Sequence, residues 1–293
     1  VCVRCFFLML RRPPRSTQGR SSAAADVYKR QVVRYDGAAY AGWQVQPGTR
    51  TAQGHLEAAL SQIANRPVRI HGASRTDAGV HALAQVCSWQ WPRDASLATL
   101  HRSLCRMLGP ALRVESIEHA PDGFHARKSA HSKRYVYVLH LARHPDPFLA
   151  RYAWTLPWEV DLALLDTLAA RIAGTHDFAG FQGGGSDIRQ TVRTLFSVRR
   201  RPGPVVGPPD LPGVWRLEFH GDGFLYKMIR NLVGTMVNIA RGHLPPEHMD
   251  ACLHLPGPYH GHTAPPGGLF LMEVVYERPA AAPQKGNAPR QTP

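Results

Sequence analysis

The chain is poor in three features that would assign it to familiar protein classes: paired cysteines, long apolar runs and acidic residues. Its five cysteines are scattered, and the C-x-x-C from Cys2 to Cys5 has no second pair to complete a zinc site. No apolar run approaches the roughly 20 residues of a membrane-spanning helix. These absences argue against a disulfide scaffold, a zinc module and a membrane protein, and they favour a cytoplasmic enzyme with reduced thiols.

The shortage of acidic residues leaves the chain strongly basic. Lys and Arg number 35 against 21 Asp and Glu, which gives a net charge of +14 and an isoelectric point near 10.1. Such an excess favours a polyanionic partner, with nucleic acid first and an acidic membrane surface second. The alternative is a soluble protein that is simply basic.

The first 31 residues differ from the remainder. They carry seven basic residues and one acid, show no sustained apolar period, and resemble translated sequencing-adapter sequence. We therefore expect residues 1–31 to lie outside the fold as a non-native or disordered segment. A genuine disordered basic arm is the alternative. The rest of the chain keeps a net charge of +8, so the expectation of a polyanionic partner holds without this segment.

Beyond residue 31, apolar periodicity alternates between strand and helix patterns. The spacing predicts helices over 51–63, 96–107, 162–172 and 224–241, and strands over 68–70, 82–91, 133–141, 192–198, 214–220 and 269–277. Two successive sets of strands and helices predict an α+β protein of two similar halves, each with an antiparallel sheet. The expected boundaries are 32–142 and 148–278, with a disordered tail over 279–293.

The densest group of reactive side chains is Gly72–His81, between two predicted strands. Loops held between rigid elements often present catalytic groups. Arg75 and Asp77 are close enough in the chain to share a site, and a nearby guanidinium favours the ionised carboxylate. A charged surface turn is the alternative.

A second group, Phe224–Asn231, carries Lys227, Arg230 and Asn231. Spacings of three and four residues would place them on one polar face of a helix. Such a face suits a phosphate or an internal carboxylate, although an ordinary amphipathic helix shows the same pattern.

A third group, His131–Tyr137, interleaves cations with tyrosines and includes Arg134 and Tyr135. Tyrosines on an exposed sheet face beside cations suit base stacking and phosphate contact. Ordinary strand packing is the alternative.

The sixteen histidines raise the question of a metal site, with Asp77 and His81 as one candidate pair. No H-E-x-x-H or paired C-x-x-C pattern frames them, so we expect none.

In chain order these groups resemble the TruA family of tRNA pseudouridine synthases. The resemblance covers residues 32 to about 277 and rests on seven motifs. They are Tyr35-Asp36-Gly37 with Tyr40, Gly42, Trp43 and Gln44; Arg75 to His81; Phe124 to Arg127; Lys133 to Tyr135; Gly174 to Phe178 with Phe181; Thr191 to Thr194 together with Phe224 to Asn231 and Gly234; and Ala264 to Pro266 with Gly268 and Leu269.

The resemblance implies the pseudouridine synthase fold, with two ferredoxin- or RRM-like halves around a central basic cleft. It implies a homodimer that needs no cofactor or metal and that converts uridine to pseudouridine at positions 38–40 of the tRNA anticodon stem-loop. Asp77 is then the catalytic aspartate, Arg230 its paired arginine and Tyr135 the tyrosine packed on the target base. The implied substrate-binding residues are Arg75, Arg134, Tyr135, Leu225, Lys227 and Asn231.

Two residues depart from the pattern: Lys227 stands where many members carry histidine, and Ser74 where many carry glycine. Neither belongs to Arg75-Thr76-Asp77. Two other functions remain open on the residues alone. One is a non-catalytic RNA-binding module on the same sheet, and the other is a metal-dependent nuclease that uses Asp77 and His81.

Overall fold

The strands join edge to edge into one large sheet, in which strands distant in the sequence lie side by side. A computed structural model describes residues 26–92, 95–186, 188–255, 257 and 259–276. Within them the strands are β1 (Asp26–Tyr35), β2 (His71–Gly72), β3 (His81–Pro92), β4 (Leu112–His119), β5 (Ser132–Leu141), β6 (Trp154–Leu156), β7 (Gly174–Asp177), β8 (Val192–Pro202), β9 (Val214–Gly221) and β10 (Leu269–Val275).

The strand order is β4-β1-β3-β10-β5-β9-β8-β7, with β2 beside β3 and β6 beside β5. Neighbours are antiparallel except for the β3–β10 and β5–β6 pairs. The predicted α+β class is confirmed. The expected two sheets form one continuous sheet, because β10 from the C-terminal end inserts between β3 and β5. The division into residues 32–142 and 148–278 stays a prediction.

Five α-helices accompany the sheet in the described residues: α1 (Ala52–Ala64), α2 (Leu97–Met107), α3 (Leu162–Ile172), α4 (Met228–Ala240) and α5 (His248–His254). The first three begin where the sequence predicts. Thr51, Ser96 and Asp161 each accept a hydrogen bond from the backbone N–H three residues on, which satisfies one of the free donors of the first turn. None of the described helices is long and apolar enough to cross a bilayer.

The helices bury one face of the sheet, and strand alternation decides which side chains point to it. In β5, Tyr135, Tyr137 and Leu139 belong to the large core under the helices. Val136 and Val138 belong to a smaller apolar cluster on the opposite face. Tyr135, Tyr137 and Leu139 therefore share one side of the strand.

The expected boundary after residue 31 is wrong for the last six residues of that segment. Residues 26–31 are part of β1, which pairs with β3 on one side and β4 on the other. Lys29 and Gln31 are fully buried there, because alternate residues of a central strand face the core. Residues 1–25 and the expected tail at 279–293 lie outside the described residues.

Gly234, in the middle of α4, offers a test of this packing. A Cβ at this position would lie 1.9 Å from the His262 carbonyl oxygen, which is backbone and has little freedom to move. We expect Gly234→Ala to lower the free energy of unfolding by about 1–3 kcal/mol, although alanine favours an unobstructed helix. Urea unfolding measures the change. Gly184→Ala is the matched control, since nothing lies within 4 Å of its Cβ position; equal stability of both variants would contradict the close contact.

Candidate active site

Residues 73–80 form a loop between β2 and β3, and its backbone is held at several points. The Trp43 N–H donates to the Thr76 carbonyl at 3.0 Å, and the Val80 N–H donates to the Asp77 carbonyl at 3.1 Å. The Thr76 hydroxyl lies 2.7 Å from the hydroxyl of buried Tyr35. The Asp77 side chain is thus presented from a loop with little freedom to move.

The segment behind this loop explains one of the glycines in the resemblance. Gly42 has a φ of +90°, and a Cβ there would lie 2.8 Å from the Thr76 carbonyl oxygen. Glycine adopts this backbone angle without steric cost, and only glycine allows so close an approach. A side chain at residue 42 would displace the residue immediately before Asp77.

The Asp77 carboxylate forms an ion pair with Arg230. Arg230 Nη1 donates to Asp77 Oδ2 at 2.8 Å, and the two side chains are 12% and 16% exposed, respectively. Arg230 Nε donates to the Ala264 carbonyl at 2.8 Å, and the Ala264 N–H donates back to the Arg230 carbonyl at 3.1 Å. The guanidinium is therefore anchored independently of Asp77, which gives the carboxylate a fixed cationic partner.

Tyr135 reaches the same place through the sheet register. Leu271 of β10 pairs with both Ala82 of β3 and Tyr135 of β5, so Tyr135 lies two strands from Ala82, the second residue after the loop. Its ring packs edge-on against Phe224, with centroids 5.1 Å apart. Burial, together with the charge of Asp77, raises the pKa of the Tyr135 phenol well above its usual value, so the hydroxyl stays protonated at neutral pH.

A small pocket of about 50 Å³ lies over these side chains. Of the predicted site residues, it is lined by Arg75, Asp77, Tyr135, Leu225 and Lys227. Arg230 does not line the pocket, but it contacts Asp77, which does. This volume holds a few water molecules and is too small for a nucleobase. A base would therefore have to displace side chains at the mouth, where Arg75 is exposed.

Lys227 precedes α4 and is not part of it, so the predicted helix over 224–241 begins too early. Its φ is +58°, in the left-handed region that a non-glycine residue seldom adopts. The Lys227 ammonium lies 5.1 Å from the centre of the Tyr226 ring. Lys227, Arg230 and Asn231 consequently do not share one helical face.

Two predicted substrate-binding residues lie away from the pocket. Arg134 follows the strand alternation to the opposite face of the sheet from Tyr135, where it pairs with Glu273 at 3.2 Å. Asn231 is 1% exposed and uses both ends of its amide, donating to the Phe181 carbonyl and accepting from the Thr263 hydroxyl. Asn231 is therefore unavailable to substrate in this arrangement, whereas Arg134 is 56% exposed but lies on the other face of the sheet from the pocket beside Asp77.

His81 also lies apart from Asp77. It is 2% exposed; its Nδ1 accepts from the Gly37 N–H, and its Nε2 lies 3.2 Å from the Arg151 carbonyl. Nδ1 also lies 3.2 Å from the Asp36 carboxylate. Burial lowers the pKa of His81 and outweighs the opposing effect of Asp36, which favours the neutral ring. The described residues contain no group of three side chains suited to hold a metal ion. Both ring nitrogens of His81 have partners other than Asp77 in this arrangement.

The structure shows how residues outside the predicted site support it. The Ser74 hydroxyl lies 2.6 Å from the Tyr135 hydroxyl, and Gln85 fixes Ser74 by exchanging two hydrogen bonds with its backbone. Tyr137 is fully buried and donates to the Pro265 carbonyl at 2.7 Å, beside the carbonyl that holds Arg230. Tyr137 therefore follows ordinary strand packing and offers no exposed stacking surface.

The short strand predicted at 68–70 is displaced to β2, immediately before the loop. Val68 and Ile70 are buried without strand pairing, and their amides instead donate to the Ser61 hydroxyl and the Glu57 carboxylate. These side-chain acceptors replace the strand partner that the prediction assumed.

Comparisons with known proteins agree on one family. The family described as tRNA pseudouridine synthase matches residues 32–127 and 168–277. A protein of Streptococcus sanguinis (strain SK36), named tRNA pseudouridine synthase A, is 38% identical over 253 residues, which cover 84% of this chain and 97% of that protein. The protein of the same name from Solidesulfovibrio magneticus (strain ATCC 700980 / DSM 13731 / RS-1) is 38% identical over 275 residues, covering 89% of this chain and 96% of that protein.

A solved Cbf5-Nop10-Gar1 complex contains a chain that is 12% identical and has a TM-score of 0.33. The match covers 83% of this chain and 58% of that chain. This likeness is too low to support an argument.

Proposed function

The chain belongs to the tRNA pseudouridine synthase family, and from that premise we propose that it isomerises uridine to pseudouridine at positions 38–40 of the tRNA anticodon stem-loop, with Asp77 as the catalytic carboxylate. The observation that carries the proposal is the Asp77–Arg230 ion pair, 2.8 Å long, at a pocket walled by Tyr135. A carboxylate, a fixed cation and an aromatic wall meet there although Asp77 and Arg230 are 153 residues apart in the chain.

The reaction fits these groups. The N1–C1′ bond breaks, the uracil turns, and a new bond joins C5 to C1′. C5 loses its hydrogen and N1 gains one, so the product is an isomer and no electron is gained or lost. A carboxylate serves either as nucleophile or as base at the sugar; both are compatible with the position of Asp77. The reaction itself demands no redox cofactor.

We assign the remaining residues by their positions. The base leaves its stack at a cost of a few kcal/mol and enters the pocket against Tyr135 and Leu225, which form its aromatic and apolar walls. Arg75 and Lys227 lie at the mouth, where their cations meet the phosphates beside the flipped nucleotide. A homodimer and a cytoplasmic location belong to the same proposal, and light scattering of the purified protein tests the dimer.

The deciding experiment is tritium release from uridine labelled at C5 in the anticodon stem-loop, with the purified protein and EDTA present. We expect release in step with pseudouridine formation at positions 38–40. Binding without release would favour the RNA-binding module, and activity abolished by EDTA would favour a metal-dependent reaction. A stem-loop with cytidine at these positions is the matched control.

We also expect tRNA affinity to fall steeply with salt. Bound phosphates release their counterions, so the logarithm of the association constant falls linearly with the logarithm of salt concentration. If about four phosphates are neutralised, affinity drops by roughly a hundredfold between about 50 and 200 mM salt. Filter binding across that range measures the slope. Affinity that does not change would argue against a nucleic-acid substrate.

A further inference from the structure

A second cavity adjoins the catalytic pocket. This side cavity has a volume of about 440 Å³ and is lined in part by Trp43, His71, Arg75, His125, Arg127 and Lys128. Arg75 lines both spaces, so one side chain spans the distance between them. Its volume is within the range of small-ligand sites, unlike that of the catalytic pocket.

The charge of the side cavity is uniformly positive. Arg75, Arg127 and Lys128 contribute three cations, and no acidic side chain lines the space. Within the described part of the chain, no carboxylate forms an ion pair with any of the three. Arg230 beside Asp77 is by contrast neutralised. Three cations without an acidic neighbour favour an anionic ligand, and the planar guanidinium of Arg127 suits a phosphate.

The neighbouring Lys133 adds a further basic group beside Arg127. Burial first, and then the nearby cations Arg127 and Arg193, lower the pKa of Lys133 to about 8. Lys133 therefore gives up its proton more easily than a free lysine, although it stays mostly charged at neutral pH. An anion bound beside Arg127 would relieve that repulsion.

The cavity also has a flat aromatic surface. The rings of His71 and His125 are stacked, with centroids 4.8 Å apart and planes 28° from parallel. His125 Nδ1 accepts from the backbone N–H groups of Arg127 and Lys128, at 3.1 and 3.3 Å, so the ring is fixed to the backbone segment that carries the two cations. His71 is exposed, and an imidazole face is a surface on which a base stacks.

We propose that the side cavity is a second nucleotide subsite, an inference that rests on the proposed function. In it, Arg127 and Lys128 bind the backbone phosphate of a nucleotide adjacent to the target uridine, and the base of that nucleotide lies against His71. The ligand class is therefore single-stranded RNA that continues out of the catalytic pocket. Arg75 contacts the strand between the two nucleotides.

The test combines protein variants with stem-loop RNAs that each carry one uncharged methylphosphonate linkage. For the wild type, we expect single-turnover conversion to fall about tenfold at one linkage beside the target uridine, as for loss of a charged hydrogen bond. Conversion of unmodified RNA by Arg127→Ala should be about tenfold slower than by the wild type. The methylphosphonate beside the target uridine should cause this variant no further loss. If Arg127→Ala folds poorly, Lys128→Ala tests the same phosphate contact. Arg106→Ala is the control, because Arg106 is exposed in the last turn of α2, and it should respond to each linkage as the wild type does.

If the loss caused by Arg127→Ala and the loss caused by a methylphosphonate were additive at every linkage, the proposed subsite would be overturned. An abasic nucleotide at the same position should likewise add nothing to the loss caused by His71→Ala; additive losses there would remove the stacking role. If the wild type binds the stem-loop without converting any uridine, the proposed function fails. In that case, the dissociation constants of the wild type and Arg127→Ala for the stem-loops with single methylphosphonate linkages still decide whether the cavity binds phosphate.

Discussion

Asp77→Asn is expected to reduce pseudouridine formation to background, a loss of at least about 10⁴-fold, while the protein stays folded and still binds tRNA. Asparagine keeps the size of the side chain and most of its hydrogen bonding, and it removes the charge and the nucleophilic oxygen. The loop itself should tolerate the change, since the Asp77 contact that shapes it is made by the backbone carbonyl to the Val80 N–H.

The ion pair with Arg230 becomes a hydrogen bond to a neutral amide in this variant. We expect a modest loss of stability, on the order of 1 kcal/mol, because the guanidinium keeps its bond to the Ala264 carbonyl. The fold should therefore survive at the temperature of the assay. Thermal unfolding by circular dichroism verifies this before activity is compared.

The measurement is single-turnover product formation beside a filter-binding isotherm for each protein. Asp122→Asn, the same chemical change in an exposed turn, is the matched control and should be fully active. Appreciable turnover by Asp77→Asn would remove Asp77 from the chemistry. It would reduce the role of the loop to shape alone, since asparagine and aspartate both favour turns.

The elements set by local sequence were predictable, and helices α1 to α3 show why. Thr51, Ser96 and Asp161 are capping residues directly followed by helical apolar spacing, so start signal and periodicity agree. The start of α4 was not predictable in the same way. Phe224 and Met228 continue the apolar period backwards, while the left-handed backbone at Lys227 has no counterpart in residue type. Lysine shows no preference for that conformation.

The meeting of Asp77 with Arg230 could not be derived from residue spacing. It depends on β10 inserting between β3 and β5, a pairing between strands far apart in the chain that short-range patterns do not encode. Only the resemblance to a known family suggested the contact before the structure showed it.

Two misplacements were avoidable on simple geometry. Arg134 directly precedes Tyr135 on a strand, and successive strand residues face opposite sides of the sheet. The side chains of Arg134 and Tyr135 therefore could not both point into the pocket beside Asp77. Asn231 follows Arg230 on a helix, where successive side chains point about 100° apart, so it turns into the core when Arg230 turns to Asp77.

The β1 boundary failed for a different reason. Residues 26–31 were grouped with the preceding segment by their composition, and that grouping hid the strand alternation that places Lys29 and Gln31 in the core. Because Lys29 and Gln31 are both polar, their inward-facing positions also gave no apolar signal of a strand. Buried polar side chains in a central strand are uncommon enough that an apolar pattern does not detect them.

Arg230→Ala is expected to lower turnover on the order of 100- to 1,000-fold while changing tRNA affinity by only a few fold. The reason is geometric: Arg230 is 12% exposed and contacts Asp77 and the Ala264 carbonyl, so little of it is available to a phosphate. Its loss removes the cation paired with the largely buried Asp77 carboxylate and the hydrogen bond that fixes the position of that carboxylate.

Two comparisons separate this role from a general loss of structure. Arg230→Lys keeps the charge without the fork that bonds both partners, so its turnover should lie between those of wild type and Arg230→Ala. Added guanidinium ion, at concentrations well below those that unfold the protein, should restore part of the Arg230→Ala activity by occupying the vacated space beside Asp77, and urea should not. Steady-state turnover and filter binding give the two readouts. If affinity and turnover fell in parallel, and guanidinium restored neither, Arg230 would be a phosphate contact and the carboxylate of Asp77 would act without it.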